Sequence, residues 1–468
     1  MKKFVAICIC ALLLAGILPV SATETVDNDP NVLSSSTLNS QMPLLGSQQL
    51  VSNTQAAILY ETSTDTLMYA HNPDTQVPPV SLLKILTALI AVEQGRMDDA
   101  VTVRADVLAT LDPDAAVVEL IVDEVVTVED LLYCMMVGSG NDAAVVLADH
   151  VLGSQEAFVA EMNRYAQELG CTGTNFTNVH GLSDKNQYTT VRDIARILAK
   201  AIQNETFCKI YGARYYSVPA TNKSEARHLS TQNYLLNNDD VIIYYDTRVI
   251  GSRTGLNSDR SRSIASAAKD GDMSLVCVVI GAKSQYEKDG YTEKVFGGYD
   301  ETRQLLDLGF QGYKPAQILH ENQILLQLPV TNGDSQLSIG THSSAFSVIP
   351  DNADAESLTY RYLDEIALTA PVKKGQKVST LQVWCGNACI AQTDVFAMNS
   401  VGVIGADGSN NGAGANGVGF GTVLLYVIGS VVILAIIFFL YLCILRAIRI
   451  SKAKEQSRRR RRYRRRSR

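Results

Sequence analysis

Val80-Ser81-Leu82-Leu83-Lys84-Ile85-Leu86-Thr87-Ala88-Leu89 sets a serine and a lysine three residues apart at the head of an apolar run. Val77-Pro78-Pro79 before it is an extended, proline-stiffened approach, since Pro79 biases the preceding residue away from helix. From Leu82 to Glu93 the apolar positions Leu83, Ile85, Leu86, Leu89 and Ile90 recur at helical spacing. Ser81 is therefore expected at or near a helix N-terminus, where exposed backbone N–H groups favour developing negative charge. Lys84 shares its face. A serine hydroxyl becomes a nucleophile only when a nearby base takes its proton, and a desolvated lysine can be that base. Taken alone, the pattern also fits an N-cap serine beside a solvated lysine.

Two further motifs follow in order. Thr127-Val128-Glu129-Asp130 has the composition of a helix start, with threonine as cap and acids in the first turn. The apolar stretch Leu131 to Val137 is broken by Gly138-Ser139-Gly140-Asn141, and a second helical pattern runs from Asp142 to Val151. Ser139 and Asn141 thus fall in a short loop between two mostly buried helices, where Asn141 could be a plain N-cap. A rigid loop on a packed scaffold is also where a catalytic hydroxyl and a substrate-orienting amide are placed. The third motif, Arg253-Thr254-Gly255, precedes the β-branched run Ser274 to Ala282, which is short enough to be a buried central strand. Gly255 permits close backbone approach by a ligand, and a guanidinium with a hydroxyl suits a carboxylate. On its own, such an arginine reads as a solvated edge charge.

The set resembles the S-x-x-K, S-x-N and K-T-G signature of penicillin-binding proteins and serine β-lactamases. The flanks of Ser81 and Ser139, together with Asn175-Phe176-Thr177-Asn178-Val179-His180-Gly181-Leu182 and Gly255 through Ala282, look like the serine-type D-alanyl-D-alanine carboxypeptidases of the peptidase S11 kind. The resemblance covers roughly Gln55 to Gly312 with specific motifs and continues loosely to Val401. It implies an α/β (α+β) fold of the β-lactamase/penicillin-binding-protein transpeptidase type, an antiparallel sheet flanked by helices. It also implies roles. Ser81 attacks the carbonyl between two D-alanines, Lys84 deprotonates it, and Ser139 helps pass a proton to the leaving D-alanine. Asn141 holds Lys84 and the substrate amide, Arg253 and Thr254 bind the terminal carboxylate, and the backbone N–H groups of Ser81 and Leu256 form the oxyanion hole. Arg253 departs from the family, which usually carries lysine there.

The ends of the chain predict export and anchoring. Met1-Lys2-Lys3, an apolar run to Val20 and Val20-Ser21-Ala22 read as a secretory signal peptide over residues 1–22. Val418 to Leu445 carries no charged residue over 28 positions, enough to cross a bilayer core of roughly 30 Å. The tail from Arg446 holds thirteen Lys/Arg and one acid, so the positive-inside rule puts it in the cytoplasm and everything before Val418 outside. Arg458 to Arg462 could instead touch nucleic acid, but the adjoining apolar segment favours lipid contact. Taking the tail's +12 and the leader's +2 from the net −7 leaves −21 outside, which gives no electrostatic reason to bind nucleic acid. Of the external cysteines, Cys385 and Cys389 could close a small disulfide or remain thiols.

Between those ends the sequence predicts a flexible lead-in at 23–50, a catalytic domain at 51–318, a β-rich domain at 319–400 and a Gly/Asn-rich spacer at 401–417. The transmembrane helix then occupies 418–445 and the basic tail 446–468. His150 and His180 stand in separate segments without metal-ligand spacing, so neither a metal nor another cofactor is expected. Gly412 to Gly417 matches G-x-G-x-x-G but follows no strand. The expected function is an exported, membrane-anchored, penicillin-sensitive serine carboxypeptidase that removes the terminal D-alanine of peptidoglycan stem peptides through an acyl-enzyme on Ser81. Its partners are then that peptide, β-lactam antibiotics and membrane lipids. The alternatives are a class A-like β-lactamase, disfavoured because Glu161-Met162-Asn163-Arg164 is not the deacylating pattern, and a catalytically weak wall-binding relative.

Overall fold

The computed structural model describes residues 43–45, 50–51, 53–239, 241–288 and 293–405. The expected signal peptide, nearly all of the lead-in, the spacer beyond 405, the span 418–445 and the basic tail lie outside the described residues. Among the described residues, no helix is long and apolar enough to cross a membrane.

Ala56–Glu61 (β1), Thr66–His71 (β2), Val249–Leu256 (β3), Arg262–Asp270 (β4) and Met273–Ala282 (β5) make an antiparallel sheet in the order β2-β1-β5-β4-β3. The β-branched run of β5 sits at the centre, as its apolar continuity predicts, and β3, which carries Arg253-Thr254-Gly255, is an edge. Alternation along the strands splits the core in two. Ile58, Ala265, Val276 and Val278 face a helical layer with Leu86, Leu132 and Ile194. Leu59, Ile264, Cys277 and Val279 face Tyr299, Leu305 and Leu306 on the other side.

The helical layer contains Lys84–Gln94 (α1), Val128–Met136 (α2), Asn141–Leu152 (α3), Gln155–Glu168 (α4) and Val191–Ala201 (α5), and Tyr299–Phe310 (α6) covers the opposite face. Thr127 caps α2 by accepting from the Asp130 N–H, and the Asp130 carboxylate returns a bond to the Thr127 N–H. Thr190 caps α5 in the same sense through the Asp193 N–H. At α3 the cap is Gly140, not Asn141, which is the first helical residue. That shift frees the Asn141 side chain for another partner.

The β-rich region starts earlier than residue 319. Tyr313–Leu319 pairs with Ala345–Pro350, so the strand cut by the expected boundary belongs wholly to this region. Beside that pair, Ile324–Pro329, Gln336–Gly340, Ala388–Ala397, Lys377–Cys385 and Leu358–Tyr362 form a five-stranded sheet in that spatial order around Leu337, Ile339, Leu381 and Val383. It joins the catalytic region where Thr66 Oγ1 meets Ser347 Oγ at 3.1 Å and accepts from the Val348 N–H at 3.2 Å. Cys385 pairs with Ala388 across the terminal hairpin while Cys389 pairs with Trp384, which directs the two thiols to opposite faces. Both are free thiols.

Candidate active site

Ser81 stands on a strained turn. It lies in a 3₁₀ turn, Val80–Leu83, that runs into α1, and Val80 holds φ +43°, a left-handed value that is costly for a β-branched residue. Two glycines clamp it. A Cβ on Gly181 would fall 2.1 Å from Val80 O, and one on Gly255 would fall 2.4 Å from Val80 Cγ2 and 2.9 Å from Ser81 N. Only residues without a Cβ let those two backbones close on the nucleophile. The loop bearing Gly181 is fixed by Asn178, whose Oδ1 accepts from the Gly181 N–H at 2.7 Å.

The 3₁₀ turn runs directly into α1, so Lys84, three residues on from Ser81, falls on the same side of the helix start. Lys84 is fully buried. Its Nζ donates to Ser139 O at 2.8 Å and to Asn141 Oδ1 at 2.7 Å. Burial, and then the charge of Arg253, hold the amine well below the usual lysine range, with only Asp142 pulling the other way. A neutral amine has two N–H bonds and one lone pair. Both N–H bonds are engaged, so the lone pair is what remains for the Ser81 proton.

Ser139 and Asn141 come together between α2 and α3, with Ser139 at φ +60°. Asp142 fixes this corner, since its carboxylate accepts from the N–H groups of Val118, Leu120 and Ala143. Ser139 Oγ accepts from Arg253 Nη2 at 2.7 Å. A guanidinium has no acceptor, so the Ser139 proton is not directed at Arg253 and is available to the cleft.

Arg253 is placed differently from the expected carboxylate ligand. It is 6 % exposed, and besides Ser139 it donates from Nη1 to Met136 O at 2.8 Å and from Nε to Ser81 O at 3.4 Å. Its side chain projects from the helical face of β3, opposite Ala265, and lies under Ser139 instead of lining the cleft. Burial pushes the guanidinium down to about 10, which still leaves it charged at neutral pH.

An open cleft of about 390 Å³ is lined by Ser81, Ser139, Asn141, Thr254, Gly255 and Leu256. The sequence had marked all of these. Its far wall, with Tyr234, Arg262, Glu293, Phe296 and Tyr299, was not marked, because these residues belong to no motif and meet only when β4 and α6 pack. His180 also lines the cleft. Burial and then the Lys84 charge push it down to about 4, and its Nδ1 accepts from the Leu182 N–H, so the ring is neutral with its proton on Nε2. Glu161 is away from the cleft, bonded to Arg164 and Gln94 on α4's outer surface.

A hydroxyl three residues from a buried lysine amine, a second hydroxyl and a backbone N–H pressed by a glycine strand make up a serine acyl-transfer centre that needs no histidine base. Comparisons with known proteins narrow the class. Residues 45–284 match the D-alanyl-D-alanine carboxypeptidase family, peptidase S11, and residues 313–403 match the C-terminal domain of penicillin-binding protein 5. The chain is 31 % identical to D-alanyl-D-alanine carboxypeptidase DacC of Escherichia coli over 74 % of its own length and 84 % of that protein. It is 30 % identical to DacA of Haemophilus influenzae over 76 % and 86 %. The crystal structure of penicillin-binding protein 5 from Haemophilus influenzae superposes with a TM-score of 0.59 at 29 % identity, covering 76 % of this chain and 100 % of that one. The chain belongs to the S11 family of serine-type D-alanyl-D-alanine carboxypeptidases.

Proposed function

We propose that this chain removes the terminal D-alanine from peptidoglycan stem peptides by way of an acyl-ester on Ser81, and that β-lactam antibiotics acylate the same serine. The observation that carries the reading is the buried Lys84 amine, whose two N–H bonds go to Ser139 O and Asn141 Oδ1. The lone pair takes the Ser81 proton as Oγ bonds to the carbonyl carbon. The oxyanion develops beside the Ser81 N–H, against which the Gly255 backbone is packed. Ser139 passes a proton to the departing D-alanine nitrogen, and water then cleaves the ester. Export and a single membrane span at 418–445, with the catalytic region outside and the basic tail inside, belong to the same proposal. They rest on the leader, the uncharged segment and the charge asymmetry. A β-lactamase reading finds no support in the cleft, where Glu293 is the lining carboxylate among the described residues and is paired with Arg262.

The test is covalent labelling of the full chain with a fluorescent penicillin alongside D-alanine release from a D-Ala-D-Ala peptide. Wild type should give both, and Ser81→Ala neither. An adduct on Ser81→Ala would remove the assignment, and an adduct without D-alanine release would favour the catalytically weak alternative.

A further inference from the structure

Arg262 is the one permanently charged cation among the described residues that line the cleft. It opens β4, and its place follows from register. Thr254 pairs with Ile264 and Leu256 with Arg262, whereas Arg253 pairs with Ala265 and Gly255 with Ser263. Side chains alternate across a sheet, so Thr254, Leu256 and Arg262 share one face while Arg253 takes the other. The cores agree: Ala265 packs into the helical layer beneath Ser139, and Ile264 into the layer with Tyr299. Thr254 and Arg262 are diagonal neighbours on adjacent strands, with Cα atoms about 7–8 Å apart, which an arginine easily spans.

The guanidinium is oriented but loosely satisfied. It lies 5.3 Å from the Tyr299 ring centroid and 5.7 Å from that of Phe296. Its hydrogen bonds run to Gly297 O and Glu293 Oε2, each at 3.4 Å, beyond the usual range for a strong contact. Arg253, in contrast, is committed to Met136 O and Ser139 Oγ at 2.8 and 2.7 Å.

We propose that Arg262 and the Thr254 hydroxyl receive the substrate's terminal carboxylate, with Glu293 as the resting counter-ion that the carboxylate displaces; this rests on the carboxypeptidase function proposed above. Arg253 is then a positioning residue for Ser139 and does not touch substrate. The two rings hold the fork in place, so a planar carboxylate meets a pre-oriented donor pair instead of a mobile side chain. Glu293 keeps the empty cleft neutral, and a substrate whose C-terminus is amidated cannot exchange with it.

The experiment uses the full chain, one D-Ala-D-Ala peptide as free acid and the same peptide amidated. Arg262→Gln should lower kcat/KM for the acid by roughly ten- to a hundredfold and for the amide by at most about threefold, and Arg262→Lys should recover part of the acid's rate. Glu293→Gln should raise the acid-over-amide preference by about two- to fivefold, since it removes a competing carboxylate from a partly exposed pair. Equal losses on acid and amide in Arg262→Gln, or no loss on either, would overturn the assignment. Penicillin labelling of Ser81 in the same samples reports the catalytic function separately. Should wild type prove not to turn over, calorimetric binding of the acid and the amide to Ser81→Ala and to Ser81→Ala with Arg262→Gln decides the matter. A preference for the acid that Arg262→Gln leaves intact would overturn the proposal there too.

Discussion

Arg253 Nη2 donates to Ser139 Oγ at 2.7 Å while Arg253 Nη1 holds Met136 O at 2.8 Å, so one buried guanidinium ties the Ser139 hydroxyl to the end of α2. If that is its work, Arg253→Ala should lower kcat and leave KM nearly unchanged. The loss should be about tenfold to a hundredfold, the range for a hydrogen bond to a charged group worth about 1.5–3 kcal/mol. Acid and amidated peptides should lose equally, and steady-state kinetics on the pair separates this outcome from carboxylate binding.

Lys84 makes a prediction about stability. Its amine is held well below the usual lysine range by burial first, so above that lowered value the folded chain has released the proton that the unfolded chain keeps up to about pH 10.4. Stability rises with pH wherever the unfolded state holds more protons. Relative to Lys84→Met, wild type should therefore gain about 1.4 kcal/mol per pH unit between the lowered Lys84 pKa and about pH 10.4. Denaturant melts of both proteins at pH 7 and pH 9 measure the difference, and parallel slopes would show that Lys84 is protonated in the fold.

The same lysine sets the pH profile. Acylation needs the neutral amine, so the rate of penicillin labelling should climb through the lowered Lys84 pKa and then level off. His180, pushed down to about 4, should add no limb between about pH 5 and 8, and His180→Gln should leave the shape of the profile unchanged.

Gly181→Ala tests the clamp on the nucleophile. The new methyl would meet Val80 O at 2.1 Å on a residue with φ +96°, so the Val80-Ser81 backbone must move or Gly181 must. A tenth of the wild-type acylation rate or less is expected, because displacement by about 1 Å can cost a hundredfold. Gly271→Ala, also at positive φ but with open space around it, is the control for backbone strain alone.

Cys385 and Cys389 should both alkylate without reductant once the chain is denatured, since the hairpin register points them to opposite faces. Peptide mass spectrometry that finds them two hydrogens short would contradict that register.

Much of this was legible in the residues. Ser81, Lys84, Ser139 and Asn141 carry chemistry at fixed spacing, and the helix signals around Thr127 and Thr190 are local, so short-range rules reach them. Arg253 was legible as a strand residue, but its motif does not say which side of an edge strand looks into the cleft; register turns it toward Ala265 and the helical layer. Arg262 lies in Ser258-Asp259-Arg260-Ser261-Arg262, which reads as a solvated turn; only pairing with Leu256 and packing on Tyr299 bring it to the site. The strand Tyr313–Leu319 was split by the expected boundary for a similar reason, as its partner strand begins 26 residues later at Ala345.

In the proposed mechanism the base is manufactured by exclusion of water, and that makes the working pH an emergent property of the interior. Leu83, Leu86, Ala144 and Met136 do not line the cleft, yet they belong to the buried apolar cluster of the helical layer that carries α1. Any change there that admits a water raises the amine's proton affinity and moves the optimum upward. Selection could thus tune such an enzyme to an acidic or alkaline surrounding through ordinary core substitutions, with every reacting group left as it is.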